Sequence, residues 1–165
     1  MYKPNQKSTT ILAGILFTIL SIGGVVYAGP TDNAGGWAWG GGVTANPAGY
    51  DGMGWISFNS SDCDTNNDGK NDNALCGAVN SVVTSYGVNF PSGDGPITGY
   101  AWNEYYGWIS FNGGDLAGCS PVMASAARVG NALTGGARIM AIKTAVAAGN
   151  AGGYDGCIDL STATI

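Results

Sequence analysis

Residues 99–112 read GYAWNEYYGWISFN, and this stretch decides the fold. ITGYAWN at 97–103 has the composition of a strand, EYYG reverses the chain, and WISFN at 108–112 returns. Upstream, YGVNF at 86–90 alternates Tyr86, Val88 and Phe90 as a half-buried strand does, and PSGDGP after it is a run of turn formers that cannot continue a strand. Together these make a three-strand antiparallel meander. The phrase recurs as GWAWG at 36–40 with GWISFN at 54–59, and in worn form as GGARI at 135–139 with GCIDLS at 156–161. Internal repetition at this scale makes the fold a repeated supersecondary unit.

The third unit follows the same plan through AARVG at 126–130, LTGGARIMAI at 133–142 and YDGCIDLS at 154–161, and its long second connection, KTAVAAGNAGG, has room for a helical turn. The first unit has the second and third strands but no evident first one. The tail STATI at 161–165 is strand-like in composition and is expected to supply it. The expected architecture is therefore all-β, three antiparallel meander repeats forming a sandwich, with a closed three-fold prism or barrel as the alternative.

Lys3 and Lys7 precede an apolar run at Ile11–Ala28, and Val26 and Ala28 place small residues at −3 and −1 of a cleavage site before Gly29. Residues 1–28 read as a signal-peptide helix, the alternative being an uncleaved membrane anchor. Residues 29–165 form a single β domain, exported to the cell surface or the extracellular space. Of six basic residues in the chain, Lys3 and Lys7 fall in the leader; the remaining four face eleven acids, a net charge near −7. That balance disfavours nucleic acid and anionic membranes, which need clustered Lys and Arg. A membrane is a partner only if the leader stays attached. Glycine is abundant, with 29 residues, which favours turns and short strands over long helices.

Four cysteines in an exported chain point to two disulfides. Cys63 and Cys76 flank one acidic loop and form the simplest local bridge, leaving Cys119 for Cys157. Zinc is the alternative use, but the chain has no C-x-x-C spacing and no histidine. The loop they flank reads DCDTNNDGKNDNALCG at 62–77. Asp64, Asn66 and Asp68 alternate, Gly69 follows, the Lys70 carbonyl is placed as a ligand, Asp72 comes four residues after Asp68, and Asp62 is an extra ligand or a flank. Alternating oxygen donors around a glycine turn suit Ca2+, which takes several hard oxygen ligands. The pattern resembles the short calcium loops of thrombospondin type 3 repeats, D-x-D/N-x-D-G-x-x-D, and the first part of dockerin and EF-hand loops. It departs from the latter two at the twelfth position, where Leu75 replaces the bidentate glutamate. The competing reading is an Asx-rich turn held by the disulfide. A calcium there would be structural.

The paired tryptophans Trp102 and Trp108 are expected to meet across adjacent strands, with Gly54 and Gly107 at positive φ beside them. Tyr100, Trp102, Tyr105 and Tyr106, at or near a hairpin tip, are the candidates for stacking on a ligand. Catalysis is not expected: histidine is absent, no G-x-S-x-G elbow is present, and the one glutamate, Glu104, has no evident carboxylate partner. From leader through G-Y-A-W…G-W-I-S-F to Y-D-G-C-I-D-L-S, the chain resembles exported tryptophan-repeat proteins of candidate-phyla-radiation bacteria. That resemblance implies a secreted or surface-displayed β protein. The reading is a non-catalytic surface or secreted protein of attachment or envelope structure, with surface glycans or other envelope proteins as partners; the alternative is a carbohydrate-binding module.

Overall fold

The computed structural model describes residues 33–41 and 52–161. The proposed leader and the expected tail strand at 162–165 lie outside the described residues.

Three hairpins form the frame. The first is β1 (Trp37–Gly41) with β2 (Gly52–Ser57), the second β5 (Thr98–Asn103) with β6 (Gly107–Ser110), and the third β9 (Gly136–Ile139) with β10 (Cys157–Asp159). All three are antiparallel and share one register, pairing Trp39 with Trp55, Trp102 with Trp108, and Arg138 with Cys157. Their junctions match as well: Ser57 pairs with Trp102 between the first two hairpins, and Ser110 with Arg138 between the last two. The hairpins therefore add edge to edge, in the order β1-β2-β5-β6-β9-β10, instead of stacking as two facing sheets. The sheet curls into a half-barrel. Short β3 (Val88–Asn89) pairs with β5, and β4 (Gly95–Pro96), β7 (Ala127–Val129) and β8 (Ala132–Thr134) make a separate three-stranded sheet. Among the described residues the fold is all-β but for short 3-10 turns and α1 (Met140–Ala147) in the long connection of the third hairpin.

Period-two alternation explains which side chains are inside. Ala101, Ile109, Ala137 and Ile139 point to one face and join Val88, Ile97, Phe111, Ala126, Leu133 and Leu160 in the apolar core. Trp102, Trp108, Ser110, Arg138 and Cys157 occupy the other. The glycine before each returning strand has positive φ, +79° at Gly54, +74° at Gly107 and +76° at Gly156, a conformation that strains L side chains. At Gly156 a Cβ would also lie 2.8 Å from the Cβ of Ile142 in α1.

Two loops cover parts of the outer face, each pinned by a disulfide. Cys63–Cys76 closes the acidic loop, and Cys119–Cys157 ties the segment after the second hairpin to β10. The pairing expected from the sequence is the one observed, with Cα–Cα separations of 5.7 and 5.9 Å. Such bridges fit an oxidising compartment. Among the described residues no helix is long and apolar enough to cross a membrane.

Candidate functional site

The acidic loop is built from its own short hydrogen bonds. Asn59 caps the 3-10 turn Ser60–Asp62, accepting from the Ser61 N–H at 3.0 Å. Beyond it, Asp64 accepts from the N–H groups of Asp68 at 3.0 Å and Gly69 at 2.8 Å, Asn66 accepts from Asp68 at 3.0 Å, and Asp68 from Lys70 at 2.9 Å. Asp64, Asn66 and Asp68 thus turn side-chain oxygens toward one stretch of backbone. Asp72 is engaged by Thr65, whose hydroxyl donates to it at 2.7 Å; that bond, foremost, holds its carboxyl below the usual range.

Asp62 does a different job from the one its neighbours suggest. It accepts from the Gly36 N–H at 2.9 Å, from the Ser57 hydroxyl at 3.2 Å and from the Asn59 N–H at 3.2 Å, clamping the base of the first hairpin. Asp115 repeats this for the second hairpin, accepting from the Ser110 hydroxyl at 2.6 Å. These bonds suit the flank reading of Asp62 better than the ligand one. Among the described residues no three His, Cys, Asp or Glu side chains stand close enough together to hold a metal ion. The remaining oxygen set relies on Asn66 and the Lys70 carbonyl beside the carboxylates.

The aromatic candidates separate by burial. Trp102 and Trp108 meet edge to face at 4.8 Å, as expected, and Tyr86 packs on Trp108 at 5.3 Å. Burial pushes the Tyr86 hydroxyl up to about 12, a rise opposed by its 2.6 Å bond with the Ser57 hydroxyl. Trp102 is half-buried, its ring lies over Gly107, and its indole nitrogen is buried without a partner among the described residues. Tyr100 is half-buried, and its hydroxyl helps hold the Asp115 carboxyl below its usual range. Both are wall residues, better placed for packing than for stacking on a ligand. Tyr105 and Tyr106 are exposed at the tip, as expected, where Asn103 accepts from both of their N–H groups.

The most exposed tryptophans are a pair that sequence reasoning passed over. Trp39 and Trp55 meet edge to face at 5.2 Å and are 51% and 43% exposed. Asn103 donates to the carbonyls of Met53 and Trp55 at 2.7 and 2.8 Å, so the two hairpin tips are tied together. Tyr105 reaches across, its ring 3.3 Å from where a Cβ on Gly54 would stand. Trp39 and Trp55 therefore form an exposed aromatic pair, with the exposed Tyr105 ring lying beside the neighbouring Gly54. The signal for it lay in the repeat itself, which aligns Trp39 and Trp55 with Trp102 and Trp108; what differs is the cover.

In the third hairpin Arg138 stands where Trp102 stands, and Cys157 where Trp108 stands. Arg138 is 1% exposed and donates to the backbone carbonyls of Asp155 at 3.0 Å, Asp115 at 3.1 Å and Ala117. It fastens the covering segment to the sheet. No protein-family model, curated protein or solved structure matches the chain.

Proposed function

We propose that this chain is a non-catalytic exported β protein, displayed at the cell surface or released, that serves in attachment or envelope structure. The observation that carries the reading is a small sheet whose outer face is covered by two disulfide-pinned loops while one aromatic pair stays bare. The cross-links suit a protein that leaves the reducing cytoplasm, and the bare rings suit contact with another surface. The resemblance to exported tryptophan-repeat proteins points the same way. Within this reading the acidic loop holds a structural Ca2+ through Asp64, Asn66, Asp68 and the Lys70 carbonyl, and Asp72, which Thr65 holds in this structure, is drawn in as the ion binds. The oxygens that Asp64, Asn66 and Asp68 already turn onto one backbone segment support it. The ion would supply charge neutralisation between carboxylates. EDTA is expected to lower the melting temperature, and Asp68→Ala to abolish that sensitivity; a thermal profile indifferent to calcium and to EDTA removes the ion from the reading.

A second reading, a carbohydrate-binding module, is favoured specifically by the exposure of Trp39, Trp55 and Tyr105. Aromatic faces stack on the C–H faces of sugar rings, and an acidic chain selects neutral hydroxylated ligands over anions. A glycan array in calcium and again in EDTA separates the readings. Selective binding that Trp55→Ala removes supports the module. Silence from folded protein leaves attachment through protein partners or an envelope role.

A further inference from the structure

The three hairpins share one set of closing bonds. Phe58 N–H donates to Gly36 O, Phe111 to Gly99, and Leu160 to Gly135, all at 3.0–3.1 Å. Between successive hairpins a short piece of chain is seated in the sheet. Between the first and second it is Val88: its N–H donates to Phe58 O at 3.0 Å, its carbonyl accepts from Ala34 at 3.0 Å, and the preceding Gly87 carbonyl accepts from Tyr100 at 2.8 Å. Between the second and third, the Ala126 carbonyl accepts from Ile97 at 2.9 Å and the Ala124 carbonyl from Gly136 at 3.0 Å. Val88 and Ala126 are both fully buried. Ala34 and Ile97 each stand two residues before the opening glycine of a hairpin, and Leu133 stands so before Gly135.

The third position of this series, between the last hairpin and the first, is an apolar groove of about 400 Å³. Leu133 and Leu160 line it from the third hairpin's side, Trp37 and Ala38 from β1, and Phe58 and Phe111 from the core. We propose that this groove is a third strand seat and that its occupant is Val25–Tyr27 of the same chain, in place of the tail at 161–165 expected from composition. Val88 lies eleven residues before Gly99, and Ala126 nine before Gly135. The same spacings before Gly36 fall on Val25 and Tyr27, with Val26 between them. Val25 and Val26 are apolar and Tyr27 offers an apolar ring with a polar tip, as a groove open to solvent allows. The chain joins the described fold at Asn33, whose side chain accepts from the Phe90 N–H at 2.7 Å, and the next two residues, Ala34 and Gly35, already line the groove. The five residues from Ala28 to Asp32 can span up to about 17 Å when extended, enough to turn back into it. Repetition of the bonding scheme has the seated carbonyl accept from Leu133, the seated N–H donate to Leu160, and the preceding carbonyl accept from Trp37.

Cleavage immediately before Gly29 would remove this strand, so the seat requires Val25–Ala28 to stay with the folded domain. That favours an attached leader, or a cut upstream of Val25, over the cleavage site expected from Val26 and Ala28. The proposal is independent of the calcium and attachment readings. It is tested on the full chain, folded and disulfide-bonded, by N-terminal sequencing and hydrogen exchange, with Val25→Asp, Val26→Asp and Tyr27→Asp as single variants and Thr31→Asp as control. The expected result is a chain that begins upstream of or at Val25, with amides at 25–27 protected like that of Val88. At least one of the three variants should lower the melting temperature by roughly 5 °C or more, and the control should not. A folded protein that begins at Gly29 overturns the proposal, as do unprotected amides at 25–27 or three variants that leave the melting temperature unchanged. Protection that disappears on dilution also overturns it, because the strand then comes from a second copy.

Discussion

Replacing Arg138 by methionine tests whether a buried cation can do the work of a tryptophan in the repeated frame. Methionine keeps much of the aliphatic length and removes the guanidinium. Three backbone carbonyls, those of Asp115, Ala117 and Asp155, then lose their donor. A buried acceptor left unpaired costs about 1–3 kcal/mol. The covering segment is partly exposed, so water reaches some of these carbonyls once the loop lifts, and the lower end applies: about 3 kcal/mol in total. For a domain of this size that is a fall in melting temperature on the order of 10 °C. Calorimetry with both disulfides intact gives the number, and the Cys119–Cys157 bridge keeps the loop tethered while it loosens. Arg138→Lys should recover only part of the loss, because a single ammonium cannot reproduce the planar fork. A methionine variant that melts within about a degree of the parent would refute the reasoning, since the three carbonyls would then be equally well served without the arginine.

Two further outcomes follow from the packing. Burial raises the Tyr86 hydroxyl from 10.0 to about 12, so the folded state holds that proton more tightly than the unfolded chain does. Its stabilising share is complete below about pH 10 and is lost as pH rises toward 12, by roughly 2–3 kcal/mol; urea unfolding across that range should show the decline in the parent and a flatter one in Tyr86→Phe, and parallel profiles would contradict it. Gly135→Ala places a Cβ 2.2 Å from Ser125 O at a φ of +74°, whereas Gly149→Ala has the same φ and open space. The first should cost roughly 2–4 kcal/mol and the second about 1 kcal/mol, and equal costs in thermal melts would rule out the steric account.

The sequence made the hairpins legible because everything that defines them is local. The turn after Trp102, the positive-φ glycines at 54 and 107 and the cross-strand meeting of Trp102 with Trp108 all depend on residues within a dozen positions. The disulfides were legible for a similar reason: one is a short loop, and the other follows by elimination. What was not legible depends on partners far along the chain. Val88 looked like part of a long first strand, yet only Val88–Asn89 is strand, because its role is to bridge Phe58 and Ala34. Asp62 looked like part of the acidic run, and only the nearness of Gly36 and Ser57 recruits it to the first hairpin. Trp102 read as a ligand platform until the 60–86 loop placed Tyr86 beside its partner. The exposure of Trp39 and Trp55 could not be told from that of Trp102 and Trp108, since the two phrases are nearly the same and their covers are not.

That contrast locates where this fold can vary without breaking. The positions held alike in all three hairpins are those the frame needs: the opening and returning glycines, the inward Ala38, Ala101 and Ala137, and the inward Ile56, Ile109 and Ile158. On the outer face the same pair of sites is filled three ways. In the second hairpin two indoles are covered by Tyr86 and the acidic loop. In the third an arginine and a disulfide fasten a different segment. In the first the indoles are left in water. Covering can thus be done by aromatic packing or by a cation and a cross-link, and either removes the site from contact with partners. An uncovered tryptophan pair forgoes burial worth about 1.5–3 kcal/mol per large side chain. A frame that covers this site twice and leaves it bare once makes the first hairpin the surface through which the proposed attachment would act. The Trp39–Trp55 pair, with Tyr105 leaning onto Gly54 beside it, is accordingly the surface on which binding experiments have the most to find.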